Sequence, residues 1–201
     1  MPFITFYGIN NIGKTTHVKL LVERLRHEGY DAISLKYPVY DIAPTGPFLN
    51  QTLRHHDGAQ ALCEEELQLW FTLNRFQFQP TLEQYLKEGK IVIAEDYVGT
   101  GIAWGATKGA SESWLTELNM PLRKADFSIL MTGERILKSK EDSHIHENDD
   151  HLVLRVGETL KRLAAEQHWY VLPVHEKREE TAEDIYNVVK NFLATFPSAN
   201  S

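Results

Sequence analysis

The chain has 201 residues, of which 42% are hydrophobic and 24% are charged, and its formal net charge is −7. These values indicate one globular domain over residues 1–201, and the acidic balance argues against a duplex nucleic acid as partner, because such a partner needs a basic surface. No apolar run approaches the about 20 residues that span a membrane. The one cysteine, Cys63, excludes an internal disulfide framework and predicts a reducing, cytoplasmic location.

A phosphate-binding loop follows the first predicted strand. The apolar run of residues 3–7 ends at Gly8, and Gly13-Lys14-Thr15 then opens an amphipathic helix, which is the spacing G-x-x-x-x-G-K-[ST] between a strand and a helix. In such a loop the backbone N–H groups and the helix N-terminus bind phosphate oxygens, the lysine reaches the β- and γ-phosphates, and the Thr15 hydroxyl binds Mg²⁺. The predicted cofactor-binding residues are Gly8, Asn11, Ile12, Gly13, Lys14, Thr15 and Thr16.

The rest of the chain alternates between strand and helix patterns. Pro80 is expected to kink or divide the longest helix, and the polar stretch 138–150 has no apolar period and predicts a flexible lid. Strands are predicted around 32–35, 90–94, 126–131 and 169–172, and helices around 14–28, 49–53, 64–86, 100–118 (interrupted near Gly109), 152–167 and 181–193, before a frayed tail at 197–201.

This alternation predicts an α/β fold in which a five-stranded parallel sheet lies between two layers of helices, as in P-loop NTPases. Ligands of such sheets bind at the carboxyl ends of the strands, where Tyr37-Pro38 and Glu95-Asp96-Tyr97 are expected. Glu95 follows a buried strand, the usual place for a carboxylate held near Mg²⁺ through water, but an acid there also caps helices. Asp96 has three interpretations: a metal ligand, a general base, or the partner of an arginine.

Several segments resemble the thymidylate kinase family of P-loop nucleoside monophosphate kinases, and the similarity covers nearly the whole chain. Residues 69–75, Leu-Trp-Phe-Thr-Leu-Asn-Arg, resemble the family's L-L-F-x-x-[DN]-R helix, in which the aromatic residue, here Phe71, stacks on thymine and the arginine, here Arg75, hydrogen-bonds the base edge. Residues 95–104 resemble D-R-Y-x-x-S-[GSN]-x-A-[YF], and residues 146–148 fall at the family's R-x-E lid segment.

The resemblance implies a role for each matching position. Thr100 and Gly101 would lie beside the base, Trp104 under the sugar, and Asn10 where the family often has an acid that contacts a sugar hydroxyl. Family members are commonly homodimers. The predicted substrate-binding residues are Asn10, Lys36, Pro38, Phe71, Arg75, Tyr97, Thr100, Gly101 and Trp104.

The chain also departs from the family pattern, mainly by losing arginines. Asp96 stands where the family has the arginine that binds the acceptor phosphate, and the loop after the second strand and the lid stretch have no arginine where the family has one. An arginine in such a site is worth roughly 10³–10⁵ in rate, so either other cations substitute, or the acceptor phosphate lies elsewhere, or the activity is weak. The candidate cations are Lys36, Arg54, Lys108, Arg123, Arg135, Lys138 and Lys140.

The resemblance implies ATP- and Mg²⁺-dependent conversion of dTMP to dTDP, with Lys14, Glu95 and Asp96 as the catalytic residues and Thr15 and Glu95 at the metal. The lost arginine leaves two alternatives open. One is a kinase for another monophosphate or for a deoxynucleoside, since a base such as Asp96 is needed only for a hydroxyl acceptor. The other is a nucleotide-binding regulator with weakened catalysis.

Overall fold

The computed structural model describes residues 1–54, 62–134 and 150–197, and its central element is a sheet of five parallel strands. The strands are β1 (Phe3–Tyr7), β2 (Ala32–Lys36), β3 (Ile91–Glu95), β4 (Phe127–Thr132) and β5 (Tyr170–Pro173). They lie in the order β2-β3-β1-β4-β5. The chain leaves β1 toward β2 on one side and later crosses to β4 on the other, so β1 and β3 flank the point where the strand order reverses.

Helices cover both faces of this sheet. The helices of the described residues are α1 (Lys14–His27), α2 (Thr45–Arg54), α3 (Glu64–Lys87), α4 (Val98–Thr107), α5 (Glu112–Asn119), α6 (Asp150–Glu166) and α7 (Arg178–Thr195). Alternate residues of β1 face opposite sides. Phe3 and Tyr7 belong to the core cluster shared with α3, α4 and α6, whereas Ile4 and Phe6 belong to the cluster shared with α1 and α7. The predicted α/β architecture with helices on both faces is confirmed.

The register brings three strand ends together at one edge. Glu95 at the end of β3 is the partner of Phe6 in β1 and of Lys36 in β2. Because all strands are parallel, the segments that follow β1, β2 and β3 leave the sheet at the same edge, as the sequence predicts.

The predicted elements agree with the observed ones to within a few residues, with one exception in α3. The helix is continuous through Pro80, so the expectation that this proline divides it is wrong. Pro80 lies exposed, where water can satisfy the carbonyl group left without an N–H donor.

Two predicted segments lie largely outside the described residues. The described chain resumes at Asp150, which is already the first residue of α6, so the predicted lid at 138–149 is not covered, and neither is the tail at 198–201. None of the described helices is both long and apolar enough to cross a membrane.

Candidate active site

A cleft of about 470 Å³ opens at the carboxyl edge of the sheet, where β1 and β3 end. All the predicted site residues line it except Gly8, Ile12 and Tyr97. The predicted residues that it brings together are Asn10, Asn11, Gly13, Lys14, Thr15, Thr16, Lys36, Pro38, Phe71, Arg75, Glu95, Asp96, Thr100, Gly101 and Trp104.

The phosphate loop depends on glycine at both of its ends. Gly8 has a φ of +151°, and a Cβ there would lie 3.0 Å from the backbone oxygen of Met131 in the neighbouring strand. Gly13 has a φ of +98° and immediately precedes α1. The N–H group of His17 donates to the Gly13 oxygen at 3.1 Å, which is the first hydrogen bond of the helix, so the preceding N–H groups have no acceptor within it. This helix end is suited to bind an anion.

Lys14 lies folded back on the loop. Its Nζ donates to the backbone oxygens of Gly8, at 2.8 Å, and of Ile9, at 3.1 Å, and lies 3.4 Å from Oδ1 of Asp96. Only 6% of the residue is exposed. The ammonium group is thus held between the loop and the end of β3, where the loop would cradle phosphates.

A buried carboxylate stands beside the loop. Glu95 accepts a hydrogen bond from the Thr15 hydroxyl at 2.7 Å, and Lys36 Nζ lies 4.0 Å from the same carboxylate oxygen. Burial raises the pKa of Glu95, and the Thr15 hydrogen bond opposes this shift. A hydroxyl and a carboxylate at hydrogen-bond distance are oxygen ligands of the type that Mg²⁺ prefers, so the donor set fits that ion.

Asp96 occupies a sterically restricted backbone conformation, with a φ of +59°. Its Oδ1 accepts a hydrogen bond from the Thr100 hydroxyl at 3.1 Å, in addition to the ion pair with Lys14. Aspartate is among the few residues that adopt this conformation readily. The carboxylate is therefore a partner of a lysine, which modifies the sequence interpretation that it pairs with an arginine.

The far part of the cleft is built around a buried guanidinium group. Arg75 is 4% exposed, and it donates from Nη1 to Asn119 Oδ1 at 3.0 Å and from Nη2 to the Tyr97 oxygen at 3.3 Å. Burial lowers the pKa of Arg75. A Cβ on Gly101 would lie 2.6 Å from Arg75 Nη2, so glycine at this position leaves the guanidinium its space. Phe71 and Trp104 line the same region.

The ring of Tyr97 lies in the core and not in the cleft. It is 2% exposed and packs against Phe3 and Tyr37, at centroid distances of 5.1 and 5.0 Å. Ile12 is likewise buried, at 1%, so only its backbone can take part in phosphate binding. Gly8 contributes its carbonyl oxygen to Lys14.

The structure separates the candidate cations into distinct groups. Lys36 and Arg54 line the cleft. Lys108 pairs with Glu64 at the end of α4. Arg123 lies at the opposite edge of the sheet, because its partner Asp126 also accepts a hydrogen bond from the N–H group of Phe3 at the start of β1. Arg123 therefore cannot serve the cleft, while residues 135, 138 and 140 lie outside the described residues.

Polar residues of α3 were missed in the sequence reasoning. Gln68 lines the cleft, at helical spacing i, i+3, i+7 with Phe71 and Arg75. Asn74 is completely buried, and its side-chain amide accepts from the Val39 N–H group at 2.8 Å and donates to the Val39 oxygen at 2.9 Å and to the Thr45 hydroxyl at 2.9 Å. The available signal was the helical spacing, which puts Gln68 on the same face of the helix as Phe71 and Arg75. Tyr37, Tyr40 and Leu53 also line the cleft.

Comparisons with known proteins agree on one family. The family model described as thymidylate kinase matches residues 6–185. A relative in Invertebrate iridescent virus 6 is 30% identical over 131 residues, 65% of this chain and 60% of that protein. A probable thymidylate kinase of Pyrococcus abyssi is 26% identical over 200 residues, 95% of this chain and 97% of that protein. The solved structure of thymidylate kinase from Candida albicans has a TM-score of 0.80 at 16% identity and covers 96% of this chain and 92% of that one.

Proposed function

This chain belongs to the thymidylate kinase family, and we propose that it transfers the γ-phosphoryl group of ATP to dTMP in a Mg²⁺-dependent reaction that yields ADP and dTDP. One observation carries the proposal: a single cleft holds the phosphate loop, the Thr15–Glu95 pair and the pocket around Arg75. These are the parts that bind a donor triphosphate, a divalent cation and an acceptor. Phosphoryl transfer depends mainly on positioning and on charge neutralisation, which such a cleft supplies.

We assign the donor phosphates to the loop between β1 and α1. The N–H groups at the start of α1 would bind phosphate oxygens, and the partial positive charge of the helix end adds to the attraction. Lys14 then exchanges its contacts with the Gly8 and Ile9 oxygens for the β- and γ-phosphates. The Gly8 and Ile9 oxygens belong to the loop that would hold the phosphates, so Lys14 would stay beside that loop during the exchange.

We assign the cation to Thr15 and Glu95. The Thr15 hydroxyl would bind it directly and Glu95 directly or through water, and the bound ion would supply positive charge to the transferring phosphoryl group. Burial already makes the ionised form of Glu95 unfavourable, so a cation next to it would remove that penalty.

The acceptor would lie along α3 and α4. Phe71, Arg75 and Trp104 line this part of the cleft. Phe71 would stack on the base, Arg75 would donate to its edge, and Trp104 would pack near the sugar. Asp96 would repel an acceptor phosphate if its charge were unpaired, but Lys14 and Thr100 already engage this carboxylate. We assign neutralisation of the acceptor phosphate to Lys36 and Arg54, which line the cleft.

The decisive experiment is ADP formation from ATP and Mg²⁺ with dTMP, dUMP, dCMP, dAMP, dGMP, UMP or thymidine as acceptor. The proposal expects the highest kcat/KM with dTMP and little ADP formation without an acceptor. A preference for thymidine would identify a deoxynucleoside kinase instead. Binding of ATP without phosphorylation of any acceptor would identify a nucleotide-binding regulator.

We also propose that the protein is a homodimer, and that α3 contributes to the interface. Leu69 and Leu73 are 47% and 48% exposed, and with Phe76 they form an apolar stripe at helical spacing beside Leu118 of α5. In a symmetric dimer the same stripe of both copies meets at the axis, which would bury these side chains.

The dimer has its own test. Replacement of both leucines, Leu69→Glu and Leu73→Glu, should convert the protein to a monomer in sedimentation equilibrium, because it places four charges at the axis. Leu154→Glu, at a residue of α6 that is 64% exposed, is the matched control and should leave the assembly unchanged. A wild-type protein that sediments as a monomer contradicts this assignment.

A further inference from the structure

A buried glutamine faces the pocket around Arg75 with a fixed orientation. Gln68 is 2% exposed, and its Nε2 donates to Glu64 Oε1 at 2.8 Å. The other oxygen of Glu64 lies 3.3 Å from Lys108 Nζ. An ionised carboxylate only accepts hydrogen bonds, so the amide NH₂ group of Gln68 must face Glu64, and the amide oxygen must face the other way.

That oxygen points toward the same small space as the arginine. It lies 3.1 Å from the place that a Cβ would take on Gly101, and Arg75 Nη2 and Nη1 lie 2.6 and 3.1 Å from that place. Gly101 has no side chain to separate them. Among the described residues, each Nη atom of Arg75 makes one hydrogen bond, which leaves each with a further N–H group. The pocket therefore presents a hydrogen-bond acceptor, Gln68 Oε1, next to hydrogen-bond donors.

We propose that Gln68 is a specificity-determining residue whose amide oxygen accepts a hydrogen bond from the N3–H group of the acceptor base, while Arg75 donates to the neighbouring carbonyl oxygen O4. This inference rests on the proposed function and adds the residue that selects the base. Thymine and uracil offer O4 as acceptor and N3–H as donor. Cytosine offers the reverse, an amino group as donor and N3 as acceptor, so it would oppose donor to donor and acceptor to acceptor.

Gln68 and Arg75 together should discriminate strongly between thymine and cytosine. A buried polar group that lacks a hydrogen-bond partner costs far more free energy than an exposed one, because water cannot replace the partner. Sites that are built to hydrogen-bond a substrate therefore reject analogues that lack the bonding group. The pair Glu64–Lys108 acts as a positioning element, because it fixes which end of the Gln68 amide faces the base.

The test compares Gln68→Met with Gln84→Met. Gln84 lies on the same helix and makes the same type of bond, from Nε2 to Glu88 at 2.8 Å, but is exposed and does not line the cleft. For Gln68→Met we expect the ratio of kcat/KM for dTMP to kcat/KM for dCMP to fall about tenfold, with unchanged KM for ATP. Gln84→Met should keep the wild-type ratio. An unchanged ratio in a folded Gln68→Met protein overturns the inference.

A second measurement needs no variant and remains decisive if Gln68→Met does not fold. The wild-type protein is titrated with dTMP and with N3-methyl-dTMP, which lacks the N3–H group, and binding is followed by calorimetry. We expect the methylated analogue to bind at least tenfold more weakly, and equal affinities overturn the inference. If dTMP binds with this selectivity but is not phosphorylated, the proposed function fails while the assignment of Gln68 stands.

Discussion

The phosphate loop and the pocket around Arg75 share one cleft but are built from different parts of the chain. The phosphate loop occupies a continuous segment, residues 8–16, and presents mainly backbone groups whose geometry is set by Gly8, Gly13 and the start of α1. The pocket around Arg75 is assembled from side chains of α3, α4 and α5. Its central bond, from Arg75 to Asn119, joins residues 44 positions apart.

This difference predicts different responses to substitution. A site made of backbone groups is insensitive to most side-chain changes and depends on a few residues, whereas a buried polar network is altered by a change in any of its members. Substitutions in the loop should therefore affect all acceptors alike. Those in the pocket should change the kinetic constants of the acceptor and leave those of ATP unchanged.

The largest effect is expected for Lys14→Met. Loss of the ammonium group at the transferred phosphate should lower kcat by about 10²–10³-fold, by the same factor for every acceptor, in steady-state ADP release. Lys19→Met, at an exposed position of the same helix, serves as the control. A kcat within tenfold of the wild-type value would mean that another cation replaces Lys14.

Arg75→Met should have the next largest effect, confined to the acceptor. Removal of the buried guanidinium that we propose donates to the base should raise KM for dTMP by about 10–100-fold and leave KM for ATP unchanged. Arg26→Met, at an exposed position of α1, is the control. A matching rise in KM for ATP would contradict the independence of the two halves of the cleft.

Gly101→Ala should have a smaller effect on KM for dTMP, because it acts through the guanidinium group of Arg75. The new methyl would lie 2.6 Å from Arg75 Nη2, so the guanidinium must shift, and we expect KM for dTMP to rise about fivefold to tenfold. A double-mutant cycle is the control, because the effect should disappear when Arg75 is already methionine. Additive effects of the two changes would show that Gly101 acts by another route.

The smallest effect is expected on the stability of the fold. It concerns Glu95, whose carboxylate lies between the phosphate loop and the pocket around Arg75. Burial raises the pKa of Glu95, so ionised Glu95 is less favourable in the folded than in the unfolded protein and destabilises the fold at neutral pH. This destabilisation should decrease as the pH falls through the folded-state pKa. Glu95→Gln should therefore raise the melting temperature of the nucleotide-free protein at pH 7 by about 2–4 °C while it lowers Mg²⁺-dependent activity.

The control for this prediction is Glu117→Gln, an exposed glutamate of α5, which should leave the melting temperature unchanged. A lower melting temperature for Glu95→Gln would show that the hydrogen bond from Thr15 outweighs the burial of the charge.

The same difference explains what could be predicted from the sequence. The phosphate loop is a contiguous motif with a local cause for each residue, and the alternation of strands and helices determines the sheet, so both could be predicted. The sequence could not indicate that Asn119 holds Arg75 or that Gln68 faces Gly101, because those contacts depend on how α3, α4 and α5 pack. The direction of the Tyr97 ring depends equally on packing, since it fills space beside Phe3.

Charge placement was the least predictable property. Arg123 and Lys36 look alike as spare cations in the sequence, but the fold puts them at opposite edges of the sheet. Only the topology decides which edge a residue reaches, because a segment before a strand and a segment after it lie a whole strand length apart.

The amide of Asn74 has a consequence for how the cleft opens. By bonding both backbone groups of Val39 and the hydroxyl of Thr45, it ties the segment after β2 to α3 as a further strand would. The wall that carries Tyr37 and Tyr40 therefore cannot swing outward while α3 stays in place. Any opening of the cleft on this side then requires the wall and α3 to move together, and the amide hydrogen of Val39 should exchange with solvent as slowly as those of the core strands.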